Sequence, residues 1–212
     1  PFSSEVTATA TPTERASPTS ARGTSTQIKK AVLAGGCFWC VESDLQKYTG
    51  VISVVSGYAG GSGENPTYKD YAVRGFREVV EVTYDASKVS YGNLVEYVIR
   101  HSDATDTGGS FGDRGIEYTS AAYFSSPAEK SSAESVVNAI EGKKVYEKSL
   151  ALYILPAVAF WPAEEYHQDY AIKNPIRYSY YRNASGRDDF IKKHWGTNTV
   201  PTPTPKVSVV SV

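Results

Sequence analysis

Cysteine, histidine and methionine are the scarce residues of this chain, and each scarcity excludes something. There are two cysteines, Cys37 and Cys40, three positions apart among 212 residues. They cannot staple distant parts of a fold into a disulfide framework, so their role is local. Three histidines with no HExxH spacing leave a zinc site short of ligands, and His167 reads as a hydrogen-bonded structural residue. Methionine is absent, which removes a side chain that oxidants convert to its sulfoxide. The missing initiator places any leader outside this chain. No apolar run approaches the roughly 20 residues that span a bilayer, and no basic-then-apolar signal opens the sequence. A soluble protein is expected, either cytoplasmic or exported after removal of a leader. Charge of one sign is lacking as well. With 22 Lys and Arg against 23 Asp and Glu and a net charge of -1, there is no electrostatic footprint for nucleic acid or an anionic membrane. A small neutral or peptidic substrate fits better. The GGSG run at 60–63 has no following Lys-Ser/Thr and is not a phosphate loop.

What is present organises itself around one folded body. Residues 1–27, dominated by Thr, Ser, Ala and Pro, lack the apolar anchors that repay the entropy of ordering and read as disordered. The tail 196–212 reads as a flexible linker through its VPTPTP run, with VSVVSV able to add an edge strand. Residues 28–195 form the domain. KAVLAGG reads as a short buried strand, Phe38 to Lys47 as a helix opening at the cysteine pair, and VISVVSGYAGG and the alternating REVVEVTYD as further strands. SYGNLVEYVIRH puts Leu94, Val95, Val98 and Ile99 on one helical stripe, and YTSAAYF follows as a strand. The order βαββαβ predicts an α+β fold with a ferredoxin-like core, a two-layer sandwich of helices on one face of an antiparallel sheet, with C-terminal additions. Beyond it the pattern predicts a helix from Pro127 to Gly142, a strand in ALYILPAVAF, a helix in AEEYHQDYAI, an irregular Tyr-rich stretch over 174–183, and a short helix in GRDDFIKKHW.

In LAGGCFWCVES the first thiol sits where a buried strand turns into a helix. Unpaired backbone N–H groups and the positive end of the helix dipole are expected to face the Cys37 sulfur and stabilise its thiolate. The double glycine reads as room for a substrate to approach, and Cys40, one turn on, lies within reach for a disulfide after a local adjustment. Phe38 and Trp39 suit a substrate whose methyl-sulfur group needs an apolar wall. Two other readings stay open. A dithiol oxidoreductase would use the Cys-Phe-Trp-Cys motif in the thioredoxin manner, although that fold places its CxxC in a different element order, and a binding domain would hold oxidised peptides without turnover.

GCFWCVES resembles the GCFW signature of the A-type peptide methionine sulfoxide reductases, and SGYAGG, ENPTYKDY, FGDRGIEYTS and PAEEYHQDYAIKNP follow in that family's order. The resemblance implies reduction of the S epimer of methionine sulfoxide in oxidised proteins or peptides. It implies Cys37 as nucleophile, Phe38 and Trp39 as the methyl pocket, and Tyr58 and Tyr118 as hydrogen-bond donors to the sulfoxide oxygen. Asp70 would be the acid, standing where the family's Glu is expected in the NPTY motif, with Asp113, Glu42 and His167 supporting the site from behind. It further implies thioredoxin as external reductant, no metal or organic cofactor, and a monomer. Many relatives carry a resolving cysteine far along the chain. None stands there in this sequence, which leaves Cys40 as the internal candidate.

Overall fold

The computed structural model describes residues 27–197 and 199–201, so the expectations for the two ends of the chain fall almost wholly outside the described residues. The strands are β1 (Ile28–Ala34), β2 (Val51–Ala59), β3 (Arg77–Asp85), β4 (Gly109–Ser110), β5 (Asp113–Arg114), β6 (Ala121–Phe124), β7 (Tyr153–Pro156) and β8 (Phe160–Pro162). The helices are α1 (Phe38–Leu45), α2 (Tyr91–Arg100), α3 (Pro127–Gly142), α4 (Tyr170–Lys173), α5 (Pro175–Ser185) and α6 (Arg187–Trp195). Six strands form one mixed sheet in the order β7-β6-β1-β3-β2-β8, and β4 pairs with β5 apart from it. Its centre, β6-β1-β3-β2, is antiparallel throughout and is the expected βαββαβ arrangement. β7 extends it by a parallel pairing with β6, and β8 by an antiparallel pairing with β2.

Alternation along the strands decides which face is which. Val80, Val82 and Tyr84 of β3 lie in phase with Ala31 and Leu33 of β1, and these bury against Phe38, Val41 and Leu45 of α1 and Leu94, Val98 and Ile99 of α2. Val79, Ala34, Ala59, Ala121 and Tyr123 form a smaller cluster on the other phase. α2 begins at Ser90, whose side chain accepts from Asn93 N while Asn93 returns the bond to Ser90 N, a reciprocal cap of the kind that fixes a helix start. Among the described residues no helix is long and apolar enough to cross a membrane.

Three local expectations are corrected. ALYILPAVAF is two short strands rather than one. AEEYHQDYAI is not a continuous helix: a 3-10 turn spans Glu165–His167, Gln168 is extended and Asp169 takes φ +53° before α4 begins. Side chains enforce that path. The Gln168 amide accepts from Ser56 N and donates to Ser56 O, both at 2.9 Å, replacing a neighbouring strand at that point of β2. The stretch 174–183, expected to be irregular, lies in the helix α5, started by Pro175 at its first turn and stopped by Gly186 at φ +72°.

The glycines before Cys37 serve packing rather than substrate approach. A Cβ on Gly35 would lie 2.8 Å from Val98 Cγ1 of α2, and one on Gly36, at φ +89°, would lie 2.7 Å from Ser110 Cβ. Gly36→Ala adds both a clash and left-handed strain, and should lower unfolding free energy by about 2–4 kcal/mol in urea titrations. A loss below about 0.5 kcal/mol would mean that the strand-to-helix corner is pliable.

Candidate active site at the start of helix α1

Cys37 is the N-cap of α1, and its carbonyl accepts from Cys40 N at 3.1 Å and Val41 N at 3.3 Å. The sulfur reaches a narrow cleft of about 100 Å³ that it shares with Phe38, Trp39, Tyr68, Glu78, Asp113, Tyr118 and Tyr181. A water molecule's share of liquid volume is about 30 Å³, so the cleft suits the end of one side chain and not a stretch of folded polypeptide. A larger hollow, of about 770 Å³ beside Lys144, Lys148 and Lys193, contains neither cysteine nor any of these groups.

The carboxyl in the cleft is Glu78. It stands on β3 in phase with the core valines and is 2 % exposed. Its Oε2 accepts the Phe38 N–H at 2.9 Å, and its Oε1 accepts from the Tyr71 hydroxyl, also at 2.9 Å. Tyr71 lies in turn 3.2 Å from the Tyr118 hydroxyl. Burial pushes the Glu78 carboxyl up to about 8, against the pull of those two hydrogen bonds. Glu78 is therefore largely protonated at neutral pH and able to donate. Asp70 is elsewhere. Its Oδ1 accepts from Thr67 N and Oγ1 at 2.7 and 2.9 Å, and its Oδ2 pairs with Arg74 at 3.0 Å. The Thr67 bonds, with help from Arg74, hold it below the usual carboxylate range. An ionised, exposed carboxylate that closes its own turn does not line the cleft.

Tyr118 lies in the cleft as expected, but Tyr58 does not. The Tyr58 ring is fully buried behind Phe38 at 5.9 Å, and its hydroxyl donates to Glu164 Oε2 at 2.9 Å. Glu164 Oε1 accepts from Tyr68 N, so the same carboxylate also fixes Tyr68, which occupies the cleft in place of Tyr58. Tyr181 of α5 was missed by sequence reasoning. Its hydroxyl donates to Asp113 and makes a hydrogen-bonding contact with Cys37, tying the expected supporting aspartate to the nucleophile. Phe38 and Trp39 form the apolar wall, with Trp39 stacked on Tyr170 at 3.7 Å and donating through its indole N–H to His167 Nδ1 at 3.1 Å. Accepting at Nδ1 puts the proton of a neutral His167 on Nε2, and burial lowers its pKa. Glu42, a buried residue of α1, accepts from Asp169 N at 3.0 Å and so anchors the segment that brings Tyr170 onto Trp39. Among the described residues no group of three or more His, Cys, Asp or Glu is arranged to hold a metal ion.

The electrostatics of the thiols differ from expectation. The first N–H of α1 is taken by Glu78, so the helix end is not free to stabilise a Cys37 thiolate. Burial, the hydrogen bond with Cys40 and the Glu78 carboxyl raise the Cys37 pKa. The Cys40 pKa is lowered to about 6, by its hydrogen bond with Cys37 first and by Arg187 and Arg182 facing it, against the effect of burial.

Glu78 thus supplies the cleft with the carboxyl that Asp70 does not. Comparisons with known proteins agree with the chemistry of this site. The family profile described as "Peptide methionine sulfoxide reductase" matches residues 29–199. Over 166 residues the chain is 46 % identical to "Peptide methionine sulfoxide reductase MsrA 2" of Rhizobium meliloti, covering 78 % of this chain and 83 % of that protein. The solved structure of methionine sulfoxide reductase A of Corynebacterium diphtheriae superposes with a TM-score of 0.65 at 30 % identity, over 73 % of this chain and 78 % of that one. Reduced Mxr1 of Saccharomyces cerevisiae gives a TM-score of 0.65 at 30 % identity, over 70 % and 86 %. A buried acid and a thiol converging on one aromatic-walled cleft, on this sheet and with this likeness, place the chain in the A-type peptide methionine sulfoxide reductase family of oxidoreductases.

Proposed function

We propose that this protein reduces methionine-S-sulfoxide, in proteins and as the free amino acid, through a Cys37 sulfenic acid that Cys40 resolves and a thioredoxin-type dithiol recycles. The observation that carries the reading is that Cys37 and a largely protonated Glu78 line the same cleft, between the Phe38 and Trp39 wall and the Tyr68 and Tyr118 hydroxyls. The methyl group rests on the aromatic side. The sulfoxide oxygen faces Glu78 and the tyrosines, which donate to the negative charge that develops there. Cys37 attacks the sulfoxide sulfur as a thiolate while Glu78 protonates the oxygen; the hydroxyl then passes from the substrate sulfur to the Cys37 sulfur, one S–O bond breaking as the other forms, and methionine departs from a Cys37 sulfenic acid. Attack of Cys40 on the Cys37 sulfur forms the disulfide and releases water, and an incoming dithiol reduces it by exchange. A site with the methyl pocket on one side and the donors on the other fits one epimer at a chiral sulfur.

Assays with each epimer, in wild type and Cys40→Ser, test this reading. The S epimer alone should turn over. Cys40→Ser should release one methionine per chain, accumulate a dimedone-reactive sulfenic acid, and fall to background with thioredoxin while still cycling with dithiothreitol. Equal turnover of the R epimer would remove the proposed orientation. Undiminished thioredoxin-coupled turnover in Cys40→Ser would remove the resolving role. Insulin reduction without sulfoxide turnover would instead support a general dithiol oxidoreductase.

A further inference from the structure

Six of the twelve large apolar side chains exposed among the described residues stand around the Cys37 cleft. Single exposed apolar residues need no explanation, whereas a cluster of them beside a site does. Tyr68 lines the cleft and is exposed as well. Tyr68 and the exposed Tyr166 both pack on His167, with ring centroids at 4.4 and 4.3 Å. Ile116, also exposed, opens the 3-10 turn that ends in Tyr118 of the cleft. On the α4 and α5 side, Ile172 follows two residues after Tyr170, the ring stacked on Trp39, and Tyr180 precedes Tyr181 of the cleft. Ile176 stands one turn before Tyr180 on the same outer face of α5. Ile172, Ile176 and Tyr180 are 70 %, 86 % and 79 % exposed, so the packing of the fold makes little use of them. α5 is held by its other face, through the buried Tyr178 and the bond from Arg182 to Asp44 at 2.9 Å. Lys173, beside the row, is paired with Glu165 at 2.7 Å.

We propose that this apolar rim receives the main chain of a polypeptide substrate, and that the substrate it selects is an extended stretch carrying apolar residues two positions before and after the oxidised methionine. The inference rests on the reductase reading and deepens it by naming the sequence class of the substrate. The cleft is the starting point. Its volume of about 100 Å³ admits the end of one side chain, so the residues on either side of an entering methionine sulfoxide must lie across the surface outside. In an extended chain alternate side chains share a face, about 7 Å apart at a rise of about 3.3 Å per residue. The side chains two positions away therefore turn toward the enzyme together with the methionine, and those one position away turn to solvent. They meet Tyr68, Tyr166 and Ile116, or the row of Ile172, Ile176 and Tyr180, and remove that apolar surface from water. Methionines flanked in this way belong to protein interiors and come within reach when a fold opens locally. An intact folded surface cannot enter so narrow a cleft.

The test compares kcat/KM, with dithiothreitol as reductant, for free methionine-S-sulfoxide and for two blocked heptapeptides with a central methionine-S-sulfoxide. One peptide carries Leu at both positions two residues from the centre, and the other carries Ser there. Wild type should favour the Leu peptide about tenfold. The double variant Ile176→Ser, Tyr180→Ser should lose that preference and keep its rate on the free amino acid within about twofold, since both side chains are exposed and neither lines the cleft. Equal wild-type rates on the two peptides would overturn the proposal, as would a double variant that keeps the preference. A double variant slowed equally on the free amino acid would overturn it too, because the row would then act through the Tyr181 wall. Unchanged peptide rates with a loss confined to thioredoxin-coupled turnover would assign the row to the reductant instead. Calorimetric titration of Cys37→Ser with the same peptides, with and without the two α5 substitutions, reads the rim without turnover. An about tenfold tighter Leu peptide that the α5 substitutions level sustains the proposal even where wild type reduces no sulfoxide, an outcome in which the reductase reading alone fails.

Discussion

Replacing Glu78 by Gln should slow methionine release about 10²–10⁴-fold, and in the same protein should raise thermal stability at pH 8. Both effects come from one proton. The wild-type carboxyl is held up to about 8 by burial, so at neutral pH it gives a proton to the departing oxygen, and as pH rises through about 8 the rate should fall. The thiol pair must have lost its first proton, with Cys40 lowered to about 6, so the profile should be a bell between those two values. Glu78→Gln should retain the rising limb and lose the falling one. For stability, the native carboxyl still binds its proton at pH values where the unfolded chain, near 4.5, has released it. Ionisation then favours unfolding, and wild-type stability declines as pH rises from about 4.5 to about 8. Gln carries no charge and escapes that penalty, although its single carbonyl oxygen cannot serve both Phe38 N–H and the Tyr71 hydroxyl as two carboxylate oxygens do. The difference in melting temperature between variant and wild type should therefore grow from pH 5 to pH 8. A constant difference, or a variant retaining most of its reductase rate, would remove Glu78 from the role of acid.

Glu78 also marks what the sequence made legible. REVVEVTYD was read correctly as an alternating strand, and the alternation itself puts Glu78 on the same face as Val80 and Val82, toward the helices. A carboxylate in phase with core valines is costly unless used. That physical signal points to Glu78, whereas matching by motif had pointed to Asp70, whose short side chain instead closes its own turn on Thr67. The βαββαβ core was readable because periodicity and capping agree locally, as at Ser90 and Asn93. The layer over the cysteines was not. In 163–172 a helical pattern yields to long-range bonds from Gln168 to Ser56 and from the Asp169 N–H to Glu42, which no local window contains. In α5 the signals were present: Pro175 opens the helix, Gly186 closes it, and Tyr178, Tyr181 and Arg182 share one face over the thiols. The density of tyrosines obscured the helical period.

Cys37→Ser should abolish methionine release entirely, while the wild-type thiol should prove a sluggish target for ordinary alkylating agents. The two expectations are consistent because nucleophilicity here is made on demand. In the resting protein Cys37 is 6 % exposed, and its pKa is raised by burial, by Cys40 and by Glu78. A generic reagent such as iodoacetamide is attacked at a carbon whose leaving group is iodide, so no oxyanion develops for Glu78 and the tyrosines to meet and nothing offsets the cost of ionising Cys37 in that cleft. A sulfoxide does: as the Cys37 sulfur begins to bond to the substrate sulfur its negative charge moves onto the sulfoxide oxygen, where the Glu78 proton and the tyrosine hydroxyls meet it. Serine at position 37 has neither the polarisable sulfur nor an accessible anion, and oxygen attack on sulfur would leave no sulfenic acid for Cys40 to resolve. Mass-spectrometric alkylation at pH 7 should thus label Cys37 no faster than a free thiol of ordinary pKa. Labelling orders of magnitude faster would show a resting thiolate on Cys37 and overturn the raised pKa on which this expectation rests.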